Sequence, residues 1–304
     1  MELTDAGNSK VNNSFGSVTV RNIHGTLTVS SNNGSIDVNT VSGTSDLNGS
    51  FGSITFANMG GYVNCTASNG RVTGGPTGAD VYVRTTFGDV SLEEISGAVD
   101  VEDSNGGITV REVKGKSTLN TSFGAIEASG LRKGVKATTG NGRISLSDVG
   151  GDAYAKTSFG AVTIQRVNGH VTIENSNGLV TANSVRGDAT ARTSFGAVTL
   201  DDISGAITVD NQNGAVMLSA ARTAPVCKHI SVKTSFAPIQ VRLPEGAGYN
   251  VTARTSFGRI SSDLPVTASG QLGGDSLNGK IGNGGCTLSL QNSNGSIEIL
   301  KLSK

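Results

Sequence analysis

The chain has no tryptophan, only five prolines among 304 residues, and three cysteines. Without tryptophan, a sugar-binding platform would have to rest on the weaker faces of tyrosine and phenylalanine. The odd cysteine count, at positions 65, 227 and 286, matches no metal-ligand spacing. Cys65 falls where an apolar inward residue is expected and reads as a small buried hydrophobe. Cys227 and Cys286 could pair only if the C-terminal part brings them together. Charge of one sign is also missing, because 24 basic residues balance 24 acidic ones. That balance argues against nucleic acid or an anionic membrane as partner. No apolar run is long enough to cross a bilayer, so no transmembrane segment is expected. The opening MELTDAGNSK has neither the basic start nor the apolar stretch of an export signal.

Glycine is abundant instead: 43 residues, with no collagen-like period of three. Phe15, Phe51, Phe87, Phe123, Phe159 and Phe195 recur at constant spacing, and Asn33, Asn69, Asn105, Asn141, Asn177 and Asn213 recur midway between them. A glycine follows every one of these twelve residues. The unit is an 18-residue rung, doubled into a 36-residue repeat. Each rung holds two short segments with period-two alternation, such as Val162/Ile164 and then Val171/Ile173. A third apolar column runs through Ile23, Val41, Met59, Ile95, Val113, Leu131, Val149, Val167, Val185 and Ile203. A lone rung cannot bury its inner face, whereas stacked rungs share a continuous core. The expected fold is all-β, a single parallel β-solenoid or β-helix.

Phe and Asn occupy one corner slot in alternate rungs. Successive Phe residues lie about 9.6 Å apart, two strand spacings, so the rings cannot stack on one another. Each ring is expected to spread over the neighbouring rung. Ser45, Ser117, Ala153, Ala155, Ala189 and Ala191 then supply small inward residues to make room. Asn is read as a local corner cap, suited to positive φ, and the corner glycines as left-handed or crowded positions.

The regular repeat covers 1–214 and begins with a partial rung. Residues 215–304 read as variant rungs and a C-terminal cap of the same solenoid, because insertions precede Phe236 and Phe257 before the repeat returns at Asn294-Gly295. An end left uncovered at the N-terminus would expose a strand edge, and end-to-end self-association is the partner expected there.

The alternating TSFG and SNG turns, with the tail VRLPEGAGYNVTARTSFGRISSDLPV…IGNGG…NSNGSIEI, resemble a bacterial adhesin-like family of β-strand-repeat domains of unknown function. The resemblance covers essentially residues 10–304. It implies a β-solenoid with an adhesin-like or scaffolding role at the cell envelope or outside the cell, with a cell-surface glycan or protein as partner. That family offers no catalytic residues to carry over, and this chain departs from it in having no N-terminal export segment.

The chemistry in the sequence is sparse. Calcium-binding glycine repeats place an Asp two residues after the glycine, where this chain has Val18, Ile36, Val90, Ile108 and Val162. The acidic pairs Glu93-Glu94 and Asp201-Asp202 are six rungs apart, about 29 Å, too far for paired-carboxylate chemistry. Asp100, Glu102 and Asp103 are closer together, but Arg84 falls beside Glu102 and predicts an ion pair. His24, His170 and His229 are scattered and assemble no nucleophile–base set. No catalytic, metal or cofactor-binding residue is assigned, and the expectation is a non-enzymatic surface protein. A bactofilin-like filament is the alternative reading. Two minor ones are a polysaccharide-acting β-helix enzyme and an ice-binding protein. The last rests on the outward column Thr19, Thr55, Thr73, Thr109, Thr163, Thr181 and Thr199, which Asp37, Ser91, Glu127 and Ser145 interrupt.

Overall fold

A hydrogen-bonded backbone with alternating Val and Ile has one economical way to bury a single face, and a computed structural model shows the chain taking it. The structure describes residues 1–221, 228–268 and 274–302, and these contain strands and turns but no helix. They form two compact units, Met1–Asp152 and Ala153–Lys304. The sequence boundary at Gly214 falls inside the second.

In the first unit, strands alternate between two parallel sheets. One sheet begins with Glu2–Ala6, Val18–Ile23 and Ile36–Val41, the other with Ser9–Phe15, Leu27–Asn33 and Ser45–Phe51. Partners are 18 residues apart: Val18 on Ile36, Ile36 on Ile54, Leu27 on Ser45. Glu2–Ala6, which the partial-rung reading omits, pairs with Val18–Ile23. The second unit keeps this register, with Val162 on Val180 and Ala153 on Val171, and all four side chains are buried. The third apolar column is buried from Ile23 to Ile203.

The corners differ from expectation in an instructive way. Left-handed backbone falls mainly on the residue just before the third column: Asn22, Thr40, Asn58, Glu94, Glu112, Asp148, Arg166, Ser184 and Asp202, with φ between 54° and 65°. Only Gly130 serves that position as glycine. None of the SNG or NNG asparagines has positive φ. The corner glycines meet the expectation: most are crowded, and Gly16, Gly52 and Gly88 have positive φ. A Cβ on Gly178 would strike the carbonyl of Gly160, and one on Gly196 that of Gly178.

Phe15, Phe51, Phe87, Phe123, Phe159, Phe195, Phe236 and Phe257 are not shared core aromatics. They are 55% to 81% exposed. Phe does alternate with Asn in register, as in Phe51 on Asn69 and Asn69 on Phe87, but the ring points off the corner into solvent. The small inward residues answer a different need. Ala155 and Ala191 lead into the bulky Ile164 and Leu200, while Ile173 leads into Ala182, so large and small alternate across the core. Phe56, which lies in the strand alternation rather than at a corner, is buried, its ring filling the space a side chain on Gly74 would occupy one rung on.

The corner asparagines do act as caps. Asn177 donates to the Ser158 carbonyl, Asn213 to Ser194, Asn105 to Thr86 and Asn294 to Ser235, each reaching the rung beside its own. Two residues earlier sits a buried polar set absent from the sequence reading. Asn175 Nδ2 donates to the carbonyls of Gly160 and Gly178 at 3.0 and 2.9 Å, and Asn211 repeats this with Gly196 and Gly214. Thr121 and Thr139 make the equivalent bond through one hydroxyl.

The end of the chain is interleaved. Cys286–Gln291 inserts between Ile230–Lys233 and Tyr249–Arg254, pairing parallel with both. Likewise Ile297–Lys301 lies between Ile239–Leu243 and Ile260–Ser262. Ser276–Ile281 then covers the free edge of Tyr249–Arg254 as an antiparallel strand, with Val266–Ala268 beyond it. Cys286 is disulfide-bonded, Cys65 is buried and free, and Cys227 lies outside the described residues.

Two predictions follow from the corners. Gly178→Ala should destabilise the fold by about 2 kcal/mol or more in urea unfolding, because backbone must move, whereas Thr40→Gly should stabilise it by about 1 kcal/mol by relieving a β-branched residue at φ 65°.

Asp103 stands where Asn175 and Asn211 stand in other rungs. It is 8% exposed, and its Oδ2 lacks a partner. Burial raises its carboxyl above the ordinary range, against the opposing pull of the Asn105, Ser104 and Gly106 amides. A raised folded-state value favours the fold at low pH and loses that contribution as pH rises through it. Asp103→Asn should therefore stabilise the protein by about 1 kcal/mol at neutral pH. Melts across a pH series should show this advantage shrinking as pH falls through the carboxylate range.

Candidate functional site

Outward side chains on a parallel stack form columns at the strand spacing, about 4.8 Å, so any surface site here is a row rather than a pocket. The most ordered row lies on the second unit, at the strand that leads into the Phe/Asn corner. Lys156 pairs in register with Glu174, Glu174 with Arg192, Arg192 with Asp210, and Asp210 with Lys233. Signs alternate throughout. Lys156 Nζ lies 3.0 Å from Glu174 Oε2. That hydrogen bond holds the Glu174 carboxyl below its usual range and the Lys156 ammonium above its own. The row borders a shallow recess of about 340 Å³ whose other wall is the corner itself, Thr157, Ser158, Ser176 and Ser194 among its lining. The exposed rings of Phe159 and Phe195 project beside it.

The first unit carries a shorter version. Arg84 lies 3.7 Å from Glu102, the ion pair expected from the sequence. Tyr82 donates to Glu102 at 3.3 Å, and burial, then the Glu102 charge and hydrogen bond, raise its phenol. Asp100 is raised by burial and by Glu102. Asp103 does not join them, because its side chain turns into the corner toward the Ser104 and Asn105 amides.

The remaining candidates stay dispersed. Glu93 and Glu94 are exposed on the first unit, Glu93 in register with Arg111. On the second, Asp201 accepts from Asn183 and Asp202 from Ser184. His24, His170 and His229 are exposed; His170 Nδ1 accepts from the Asp188 amide and His229 Nδ1 from the Thr287 amide. No cluster of three metal-ligating side chains occurs among the described residues, and they contain no helix long and apolar enough to cross a membrane. The threonine column is real over Thr163, Thr181 and Thr199, but in the first unit Asp37, Ser91, Glu127 and Ser145 sit in register within it.

The Phe row as a surface feature was missed by sequence reasoning, which assigned those rings to the core. The available signal was their constant placement outside the apolar alternation, between two polar residues and a glycine.

Among known proteins, the Toastrack DUF4097 family model matches residues 133–300, more than half of the chain. No curated protein and no solved structure matches. The matched segment spans both the regular rungs that carry the charged row and the interleaved end, and the chain is a member of the Toastrack DUF4097 family.

Proposed function

We propose that the protein is a non-enzymatic, adhesin-like scaffold at the cell envelope or outside the cell, whose stacked rungs present regular side-chain rows to a cell-surface glycan or protein. The observation that carries this reading is the in-register column itself. Acidic side chains on the outer surface are tied to basic neighbours in adjacent rungs, as in Arg21–Asp37, Arg71–Asp89 and Lys156–Glu174. Such carboxylates stabilise register and are not poised for proton transfer. A rigid parallel stack repeats one contact many times, which suits a polymeric or repetitive ligand. Screening the purified protein against glycan arrays and whole bacterial cells should give saturable binding without altering the ligand. Depolymerisation of any bound polysaccharide at ordinary enzymatic rates would remove the reading.

End-to-end filament formation is a second reading, favoured by one observation. Glu2–Ala6 pairs with Val18–Ile23 on one edge, and no strand among the described residues pairs with its other edge. Electron microscopy of concentrated protein distinguishes the two: uniform short particles disfavour polymerisation, and extended filaments favour it.

A further inference from the structure

In the second unit, the Phe/Asn alternation survives the irregular end of the chain only through interleaving. In chain order Phe236 and Phe257 belong to successive rungs, and the late rung carrying Asn294 inserts between them. The spatial sequence is Phe159, Asn177, Phe195, Asn213, Phe236, Asn294, Phe257. The four rings are 61% to 81% exposed and about 9.6 Å apart. A row of exposed aromatics along one edge marks an interaction surface.

The charged column has the same period and a fixed phase. Lys156, Arg192, Lys233 and Arg254 all belong to Phe rungs, while Glu174 and Asp210 belong to Asn rungs, and Gln291 fills the third Asn rung. Few partners could match both rows at once, and the chain itself is one. A parallel two-fold pairing would set each residue on its own copy, Phe against Phe and Lys against Lys. An antiparallel two-fold axis between two adjacent rungs sets every Phe rung on an Asn rung, and so every cation on an anion or amide. With the axis between Phe195 and Asn213, Arg192 meets Asp210, Glu174 meets Lys233 and Lys156 meets Gln291 of the second copy. Phe159, Phe195 and Phe236 face the Asn294, Asn213 and Asn177 positions in turn.

We propose that this corner is a homodimer interface, in which two copies associate antiparallel and offset so that Phe rings of each fill the Asn-Gly notches of the other. Six such rings, each more than half exposed, would bury about 700 Å². With the polar flanks the contact approaches the ~1,000 Å² expected of a specific interface, which places the dimer in the weak, concentration-dependent class. The proposal does not depend on the scaffold reading, and it uses a surface other than the Glu2–Ala6 edge.

Sedimentation analysis over micromolar to submillimolar concentrations tests it. A monomer–dimer equilibrium is expected. Phe195→Asn with Phe236→Asn, which installs the residue of the alternate rungs, should weaken it at least about tenfold. Glu174→Lys with Asp210→Lys, leaving a column of one sign, should do the same. Exchanging the sign of the five charges within the matched rungs (Lys156→Glu, Glu174→Lys, Arg192→Glu, Asp210→Lys, Lys233→Glu) restores alternation there and should restore the dimer. Circular dichroism melts establish that each variant folds. If the Phe variant does not, the exposed charge variants decide. A chain that stays monomeric throughout, or a dimer indifferent to both sets, overturns the proposal. So does a monomer that partitions onto phosphatidylcholine vesicles through the Phe row.

Discussion

Everything in this fold depends on how closely one rung can lie on the next at the glycine corner. The backbone ladder fixes the strand spacing, and at the corner the chain must turn without leaving that spacing. There the α-carbon of Gly178 sits against the Gly160 carbonyl so tightly that no side chain fits, and Gly196 repeats the contact with Gly178. Thr121, Thr139, Asn175 and Asn211, two residues before the Phe or Asn, satisfy glycine carbonyls that this close approach removes from water, as Asn175 does for Gly160 and Gly178, whereas the buried hydroxyls of Thr85 and Thr193 find no partner. Once that corner is fixed, inward and outward sides follow from the two-residue period of the strand. The 18-residue spacing of sequence partners is then a consequence rather than a separate specification.

The interleaved end shows the same constraint acting against chain order. Cys286–Gln291 and Ile297–Lys301 return to a place already bounded on both sides by earlier strands. What fits there is a rung of the Asn type, and the chain supplies one: Asn292 donates to the Ala237 carbonyl and Asn294 to Ser235, while the Phe257 amide donates to Ser293. A Phe rung in that gap would place rings on three neighbouring corners, about 4.8 Å apart, with nothing to separate them.

The inward residues, the register and the ion pair Arg84–Glu102 were legible in the sequence, because each follows from period-two alternation read at 18-residue intervals. Three features were not. The Phe rings were assigned inward because an aromatic is usually core, a rule that runs in one direction only: large apolar side chains also occur outside. Left-handed backbone occurs at Gly16, Gly52 and Gly88 but at none of the corner asparagines, and it also falls on Glu94, Arg166 and Asp202, where the geometry of the bend before the third column overrides residue preference. The order of the last rungs was hidden because every Asn rung obeys the same pattern and nothing local says which neighbour it will take.

The phase between charge and ring is the feature that the solenoid alone does not explain. Pairing within the stack requires only that sign alternate along the column. It is indifferent to whether the cation falls on the Phe rung or the Asn rung, since Lys156 reaches Glu174 across the rung boundary in either arrangement. Yet Arg84, Lys156, Arg192, Lys233 and Arg254 all fall on Phe rungs, and Glu102, Glu174 and Asp210 all fall on Asn rungs. The first unit, with its single pair Arg84 and Glu102, keeps the phase of the second. A fixed phase between two exposed columns matters only to something that contacts both columns together. A partner bearing the same two columns in reverse is the simplest object that does.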